Sequence, residues 1–171
     1  MEASSVEITV RALNAADVRY LVAGGLAVVA HGYPRFTADL GLILDLEPDN
    51  VERAISALTA LGYRPRAPVA FEAFGDANQR VAWMRDKGMT VFSLSSAAHA
   101  LTEIDLLVDP PLDFGAAYRR AAPREIAPEV VATFLGFDDL IRLKEQAARP
   151  QDKIDIDNLR ALRRQGSENA G

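Results

Sequence analysis

The residues with the clearest potential for chemistry lie between Tyr20 and Asp45. An apolar run in this segment ends in Gly24-Gly25, and a helix-like stretch follows it. A glycine pair between a strand and a helix lets backbone amides approach a phosphate, with the positive end of the helix dipole behind them. Asp39 begins the next apolar run, where its carboxylate can hold a divalent cation against the same phosphate. This arrangement predicts nucleotide chemistry.

A second carboxylate for the same site is expected from Asp105. Asp39 and Asp105 stand near the starts of two apolar runs, Ala38–Leu44 and Leu101–Val108. If the two strands are neighbours, both carboxylates converge on the end of the sheet that carries Gly24-Gly25. Mg²⁺ usually takes one or two carboxylates together with substrate phosphates, so it is the expected cofactor. For each acid alone, the alternative is a solvated turn residue at a strand start.

Composition narrows the class of protein. The chain has 171 residues, enough for one compact domain, and its hydrophobic content of 49% is ample for a core. The net charge of −5 argues against a broadly basic nucleic-acid surface. The absence of cysteine excludes disulfides and thiol catalysis, and two histidines are too few for a histidine-rich metal site. Since no apolar run approaches ~20 residues and the N-terminus lacks a secretory pattern, we expect a cytoplasmic protein that does not contact a membrane.

The alternation of helix-like and strand-like periods predicts an α/β (α+β) fold, a mixed β-sheet flanked by helices. Residues 1–135 are expected to form the core, and residues 136–171 to form C-terminal helices packed on it, with a frayed tail after Arg164. The expected helices are Leu26–His31, Val51–Leu61, Asp113–Arg120, Phe137–Ala148 and Asp152–Arg164, and the clearest expected strands are Arg19–Val22, Ala38–Leu44 and Leu101–Val108.

Two further segments carry expectations about strands. Gln79–Met84 and Met89–Leu94 are predicted to form a hairpin around Asp86-Lys87-Gly88. Ile126–Ala132 is predicted to be short extended structure because it contains a proline. Trp83 is expected in the core, with a base-stacking platform as the alternative.

These residues resemble the core motif of the minimal nucleotidyltransferases of the DNA polymerase β-like superfamily, and within it the AbiEii-type toxins and related bacterial proteins. The motif reads GG, a short helix ending in HG, then R-x-T-x-D-[IVL]-D, which is similar to residues 24–41. A later segment, E-[IV]-D-[LV]-L, is matched by residues 103–107. A helix ending K-x-x-[AS]-x-R, followed by x-x-D-x-x-D, is similar to residues 144–155. Asp152 and Asp155 in this segment are expected to be caps and surface charges. The resemblance covers about residues 18–160.

The resemblance implies a nucleotidyltransferase, a magnesium-dependent transferase that moves a nucleoside monophosphate from a nucleoside triphosphate to a hydroxyl group. It also implies a tRNA or a protein as acceptor and, for a toxin–antitoxin pair, a cognate antitoxin as partner. Asp39 and Asp105 would be the catalytic, metal-binding residues, and Asp105 would help to activate the acceptor hydroxyl. For Lys144 and Arg149, the alternative is a solvated helix face. The implied nucleotide-binding residues are Gly24, Gly25, Arg35, Thr37, Lys144 and Arg149.

One position departs from the family. The second acid of the motif falls at position 41, which is Gly41 here. An acid at 41 would point to the same side of the strand as Asp39, because side chains alternate with a period of two. We therefore expect a strongly impaired or inactive enzyme that keeps nucleotide or partner binding. The alternatives are a single-metal mechanism, recruitment of Glu103 or Asp109 as the missing acid, and a structural domain without a ligand.

Overall fold

The computed structural model describes residues 1–168 and confirms an α/β fold, a mixed seven-stranded sheet flanked by helices. None of the helices in this range is long and apolar enough to cross a membrane. The helices are α1 (Ala3–Ala15), α2 (Gly24–Ala30), α3 (Pro48–Ala60), α4 (Ala77–Lys87), α5 (Phe114–Arg119), α6 (Phe137–Ala147) and α7 (Pro150–Glu168), and the strands are β1 (Tyr20–Ala23), β2 (Asp39–Leu44), β3 (Arg64–Pro65), β4 (Val91–Ser95), β5 (Glu103–Leu107), β6 (Ala122–Ala127) and β7 (Val130–Phe134).

The sheet has the strand order β3-β4-β5-β2-β1-β7-β6, so β2 and β5 are neighbours and the condition for bringing the two acids together is met. These two strands run parallel, while β1 and β4 are antiparallel to their partners β2 and β5. Gly41 on β2 lies opposite Ala23 on one side and Asp105 on the other. Two residues earlier on each strand, and on the same face, Asp39 lies opposite Glu103. The register therefore places Asp39 and Asp105 diagonally across two adjacent strands.

The core is continuous from the sheet into the last two helices. The central strands β1 and β2 are almost entirely buried. Leu140 and Ile141 of α6, together with Ile156 and Leu159 of α7, belong to the same buried cluster as the strands. This packing brings α6 against the sheet end at which β1 passes into α2.

The predicted hairpin around Gly88 is wrong in its first arm. Residues Ala77–Lys87 form helix α4, and only the second arm is a strand, which pairs with β5. Asp76 caps the helix start, since its side chain accepts hydrogen bonds from the backbone N–H groups of Asn78 and Gln79. Gly88, with φ of +60°, ends the helix in the left-handed conformation. Hairpin turns and helix C-termini both favour glycine in that conformation, so the sequence pattern fitted either structure.

Two other expectations have definite outcomes. Residues near Pro128 form a hairpin, in which Pro128 and Glu129 connect β6 to β7 and the backbone of Glu129 is left-handed. Trp83 is buried and stacks on Phe92 with a ring separation of 5.2 Å, so it is a core residue. Helix α7 extends to Glu168, beyond the predicted start of a frayed tail at Arg164, and residues 169–171 lie outside the described range.

Candidate functional site

A cavity of about 610 Å³ lies between the sheet and helix α6. Five of the residues predicted for the site line it together with Gly41: they are Gly24, Asp39, Asp105, Lys144 and Arg149. Glycine, carboxylate and cationic groups from the two halves of the chain therefore face one space. Three predicted nucleotide-binding residues, Gly25, Arg35 and Thr37, do not line this cavity.

The two carboxylates form a pair of like charges on one face of the sheet. Adjacent strands are ~4.8 Å apart and each residue advances ~3.3 Å, so the diagonal places the Cα atoms of Asp39 and Asp105 ~8 Å apart. Asp105 Oδ1 accepts a hydrogen bond of 2.6 Å from Ser93 Oγ. Burial raises the pKa of Asp105, and the charges of Asp39 and Glu103 raise it further. Neither Asp39 nor Asp105 takes part in an ion pair within residues 1–168.

The glycine pair serves two different purposes. Gly24 has φ of +67°, which favours glycine, and it lines the cavity where β1 becomes α2. Gly25 is buried, and a Cβ atom placed on it would lie 2.5 Å from Thr37 Oγ1 and 2.7 Å from Thr37 Cβ. Gly25 therefore allows the segment before β2 to pack closely on α2. Of the pair, only Gly24 is open to a ligand in the cavity.

Gly41 leaves a gap in the row of acids but little free space. A Cβ atom at this position would lie 3.3 Å from the carbonyl oxygen of Ala23 on the neighbouring strand. An aspartate at 41 therefore needs the backbone around Ala23 to move by a few tenths of an ångström. No group of three or more histidine, cysteine, aspartate or glutamate side chains within residues 1–168 is arranged to hold a metal ion.

This donor set fits one cation better than two. One Mg²⁺ ion accepts one or two carboxylates when phosphate oxygens and water complete its octahedron, and Asp39 and Asp105 supply such a pair. A two-metal centre needs carboxylates that bridge both ions, and Gly41 removes the expected bridging group. The residues present would thus hold a single ion only together with a phosphate ligand.

Neither of the acids considered as a replacement for position 41 is placed to act as one. Glu103 lies opposite Asp39, but Arg66 Nη1 donates to both of its carboxylate oxygens at 2.8 Å, and it does not line the cavity. Asp109 lines the cavity, but it follows Asp105 by four residues, or ~13 Å of extended chain. The recruited-acid alternative therefore has no support in the geometry.

Helices α6 and α7 are joined by a buried cluster of charges centred on Lys144. The ammonium group donates to Asp152 Oδ1 at 2.9 Å and to Asp155 Oδ2 at 2.7 Å. The Lys144 side chain is 5% exposed, and those of Asp152 and Asp155 are 1% and 0% exposed. The solvated helix face considered for Lys144 is therefore wrong. An ammonium has three donors, and these two hydrogen bonds use two of them, while Lys144 is also one of the residues that line the cavity.

Two arginines extend this cluster towards the carboxylate pair. Arg35 Nη1 donates to Asp155 Oδ2 at 2.7 Å, which ties the segment before β2 to α7. Arg149 Nε donates to Asp152 Oδ2 at 2.7 Å, and its side chain is 69% exposed. The hydrogen bond to Asp152 raises the pKa of Arg149, and the nearby charge of Asp39 adds to this effect. Burial raises the pKa of Asp152, but hydrogen bonds from Arg149 and Lys144 outweigh it, so the net shift is downwards.

Sequence reasoning missed the structural part of this cluster. Asp152 and Asp155 were expected to be caps and surface charges. Asp152 does accept a hydrogen bond from the backbone N–H of Arg149 at the start of α7, but both aspartates are buried. Their spacing with Ile156 and Leu159 is typical of one helix face, which is the pattern that could have revealed their burial.

Comparisons with known proteins do not assign the chain to a family. No protein-family model matches the chain, and no curated protein matches it either. The geometry of the cavity is therefore the main ground on which a function can be argued.

Proposed function

We propose that this chain is a nucleotidyltransferase-like protein that binds a nucleoside triphosphate with Mg²⁺, and that the absence of an acid at position 41 strongly impairs nucleotidyl transfer. The observation that carries the proposal is the cavity, which Gly24, Asp39, Asp105, Lys144 and Arg149 line together. The resemblance of residues 24–41, 103–107 and 144–155 to the nucleotidyltransferase motif supports the same reading.

Each of these five residues has a defined part in nucleotide binding. Lys144 and Arg149 supply positive charge for phosphate oxygens, and the backbone of Gly24 approaches them without a side chain. The two carboxylates would hold Mg²⁺, which neutralises phosphate charge when it is bound. Without the cation and the phosphates, the carboxylates repel each other, so we expect Mg²⁺ and nucleotide to bind together.

The transfer step requires an acceptor hydroxyl to form a bond with the α-phosphorus while the bond to the β-phosphate oxygen breaks and pyrophosphate leaves. The hydroxyl must also lose its proton. Asp105 is placed to receive that proton because its carboxylate lines the cavity on the same face of the sheet as Asp39. An RNA or protein hydroxyl is the proposed acceptor, a cognate antitoxin is the proposed partner, and the cytoplasm is the proposed location.

Calorimetric titration of each nucleoside triphosphate, with and without Mg²⁺, tests the binding part of the proposal. We expect heat of binding only when Mg²⁺ is present, and Asp39→Asn should weaken binding by about tenfold or more, since a charged ligand to the ion is lost. Asp157→Asn is the matched control because Asp157 is exposed on α7 and does not line the cavity. Absence of binding for all four nucleotides would contradict the proposal.

Restoring the acid tests the transfer part. Gly41→Asp should raise the transfer of label from a nucleoside triphosphate by several orders of magnitude, because it supplies the missing carboxylate. Gly41→Asn has nearly the same shape and makes the same contact with Ala23, but it lacks the charge, so it should give no gain. Equal activity in the two variants would mean that the missing charge is not the lesion.

The second candidate function is a nucleotide- or partner-binding module without catalysis. The observation that favours it is Gly41, because the chain keeps the rest of the cavity while lacking one expected ligand. Nucleotide binding without any transfer in the Gly41→Asp variant would favour this candidate over an impaired enzyme.

A further inference from the structure

The far end of the cavity contains a carboxylate that the expected metal site cannot use. Asp109 lines the cavity and takes part in no ion pair within residues 1–168. The strand pairing continues almost to it, since the N–H of Val108 donates to the carbonyl of Thr90 at 3.0 Å. Strand β5 ends at Leu107, and Asp105, Leu107 and Asp109 all line the cavity in that order along the chain.

An apolar slot separates the two carboxylate ends of the cavity. Val91 and Leu107 are opposite each other on β4 and β5 and form its wall on the sheet. Leu140 and Leu143 of α6 form a second wall, and Pro110 with Pro111 closes the slot beside Asp109. Pockets of this composition bind flat, weakly polar groups, and a few polar side chains then fix the orientation of the ligand. A nucleobase is the part of a nucleotide that suits this slot.

The order of groups along the cavity matches the order of groups in a nucleotide. The glycine, the metal-binding acids and the cations lie at one end, where the phosphates are expected. The apolar slot follows, and Asp109 lies beyond it, where the outer edge of a base would reach. Burial lowers the pKa of Arg80 and the charge of Asp109 acts in the opposite direction, while the Arg80 guanidinium donates to the carbonyl of Phe74 at 2.7 Å.

We infer that Asp109 accepts a hydrogen bond from the exocyclic amine of the bound base, so that the site selects adenine, guanine or cytosine nucleotides over uracil nucleotides. This inference rests on the proposed function. A carboxylate offers only acceptors. Adenine, guanine and cytosine each present an amine donor at the edge of the ring, and a carboxylate accepting from the cytosine amine is a recurrent pairing. Uracil presents carbonyl oxygens on both sides of its single ring N–H, and these oxygens repel a carboxylate.

Calorimetry with the four nucleoside triphosphates and with inorganic tripolyphosphate, all with Mg²⁺, tests the inference. The wild-type chain should bind UTP about tenfold or more weakly than ATP, GTP or CTP, as expected for one lost pairing and one repulsive contact. Asp109→Asn should reduce this difference to about threefold or less, because an amide offers a donor to the uracil oxygen as well as an acceptor. Asp157→Asn removes the same charge from an exposed position outside the cavity and should leave the difference unchanged.

The outcomes separate this inference from the proposed function. Equal binding of UTP and the other nucleotides by the wild-type chain would overturn the inference and leave the proposed function intact. An unchanged difference in Asp109→Asn would do the same. If the wild-type chain binds neither tripolyphosphate nor any nucleotide, the proposed function and the inference both fail. Should Asp109→Asn not fold, the wild-type affinities alone decide.

Discussion

One group of aspartates lines the cavity and a second is buried between α6 and α7, and the chain neutralises only the second. Asp152 and Asp155 share the ammonium of Lys144, and each also receives a hydrogen bond from an arginine. Asp39 and Asp105 lie beside each other on the sheet without an ion pair in the described part of the chain. Burial acts to raise the pKa of Asp152, but its hydrogen bonds from Arg149 and Lys144 outweigh burial and lower the pKa. Burial and the neighbouring acids both raise the pKa of Asp105.

The contrast indicates that Asp39 and Asp105, rather than Asp152 and Asp155, are the acids whose charge is left for a ligand to neutralise. Buried acids that are paired by the protein's own cations stabilise the packing of two helices. Acids placed side by side with no cation carry an electrostatic cost, and such groups concentrate at functional sites because a ligand removes the cost. The sheet acids are therefore the place to look for a cation, and the helix acids are the framework that holds Lys144 and Arg149 near it.

Lys144→Met should have the largest effect on stability. It leaves two buried carboxylates without their shared cation, and breaking a buried pair in this way typically costs about 3–5 kcal/mol. Urea denaturation followed by circular dichroism measures the change. Lys153→Met, at an exposed position of α7, is the control and should change stability by less than about 0.5 kcal/mol. A loss below about 1 kcal/mol in Lys144→Met would mean that Asp152 and Asp155 are solvated, which removes the contrast between the two groups.

Gly25→Ala should disturb the connection between the two groups of acids. The added methyl group meets Thr37 at 2.5–2.7 Å and Arg35 Nη2 at 3.0 Å. The segment from Arg35, which pairs with Asp155, to Asp39 must therefore shift. Overpacking of this kind typically costs about 1–3 kcal/mol. Gly166→Ala adds the same methyl group to a helical position with open space and should instead stabilise the chain by up to about 1 kcal/mol. Thermal unfolding of both variants gives the comparison, and a neutral Gly25→Ala would mean that this segment adapts freely.

Asp105→Asn should give the smallest effect, and one of opposite sign. The folded-state pKa of Asp105 is raised, so its ionised form opposes folding, and this cost is complete above the folded pKa and absent below the ordinary pKa of ~3.9. Without Mg²⁺, the variant should therefore be more stable than the wild type near pH 7, and the difference should disappear as the pH falls below ~4. Melting temperatures measured across this pH range test it, with Asp157→Asn as the control. A destabilised variant at neutral pH would show that the Asp105 charge is compensated.

The sequence allowed the sheet end and its acids to be predicted because the information is local. The runs Ala38–Leu44 and Leu101–Val108 became β2 and β5, and their parallel pairing placed Asp39 and Asp105 on one face, as expected. The glycine pair was correctly located at the junction of β1 and α2. Apolar periodicity and a strand-to-helix glycine determine these features over short distances along the chain.

The remaining features depend on contacts that no local pattern specifies. The role of Gly25 follows from the approach of Thr37, and the burial of Lys144 follows from how α7 folds back on α6. Helix α4 was mistaken for a hairpin arm because Gly88 suits both structures, while its N-terminal cap at Asp76 is the local feature that distinguishes them. The resemblance to the motif predicts an acid at position 41, where the chain has Gly41, but the narrow space beside Ala23 depends on how two strands pair.

The shared carboxylate of Asp155 has a consequence for the order of events during protein synthesis. Residues before α7 already include every group that lines the cavity, yet the counter-charges of Lys144 and Arg35 lie in α7. Until α7 has left the ribosome, the Lys144 ammonium at the cavity wall lacks its two aspartate partners. Because chains emerge N-terminus first, the burial and charge compensation of Lys144 are completed only after α7 has emerged and packed against α6.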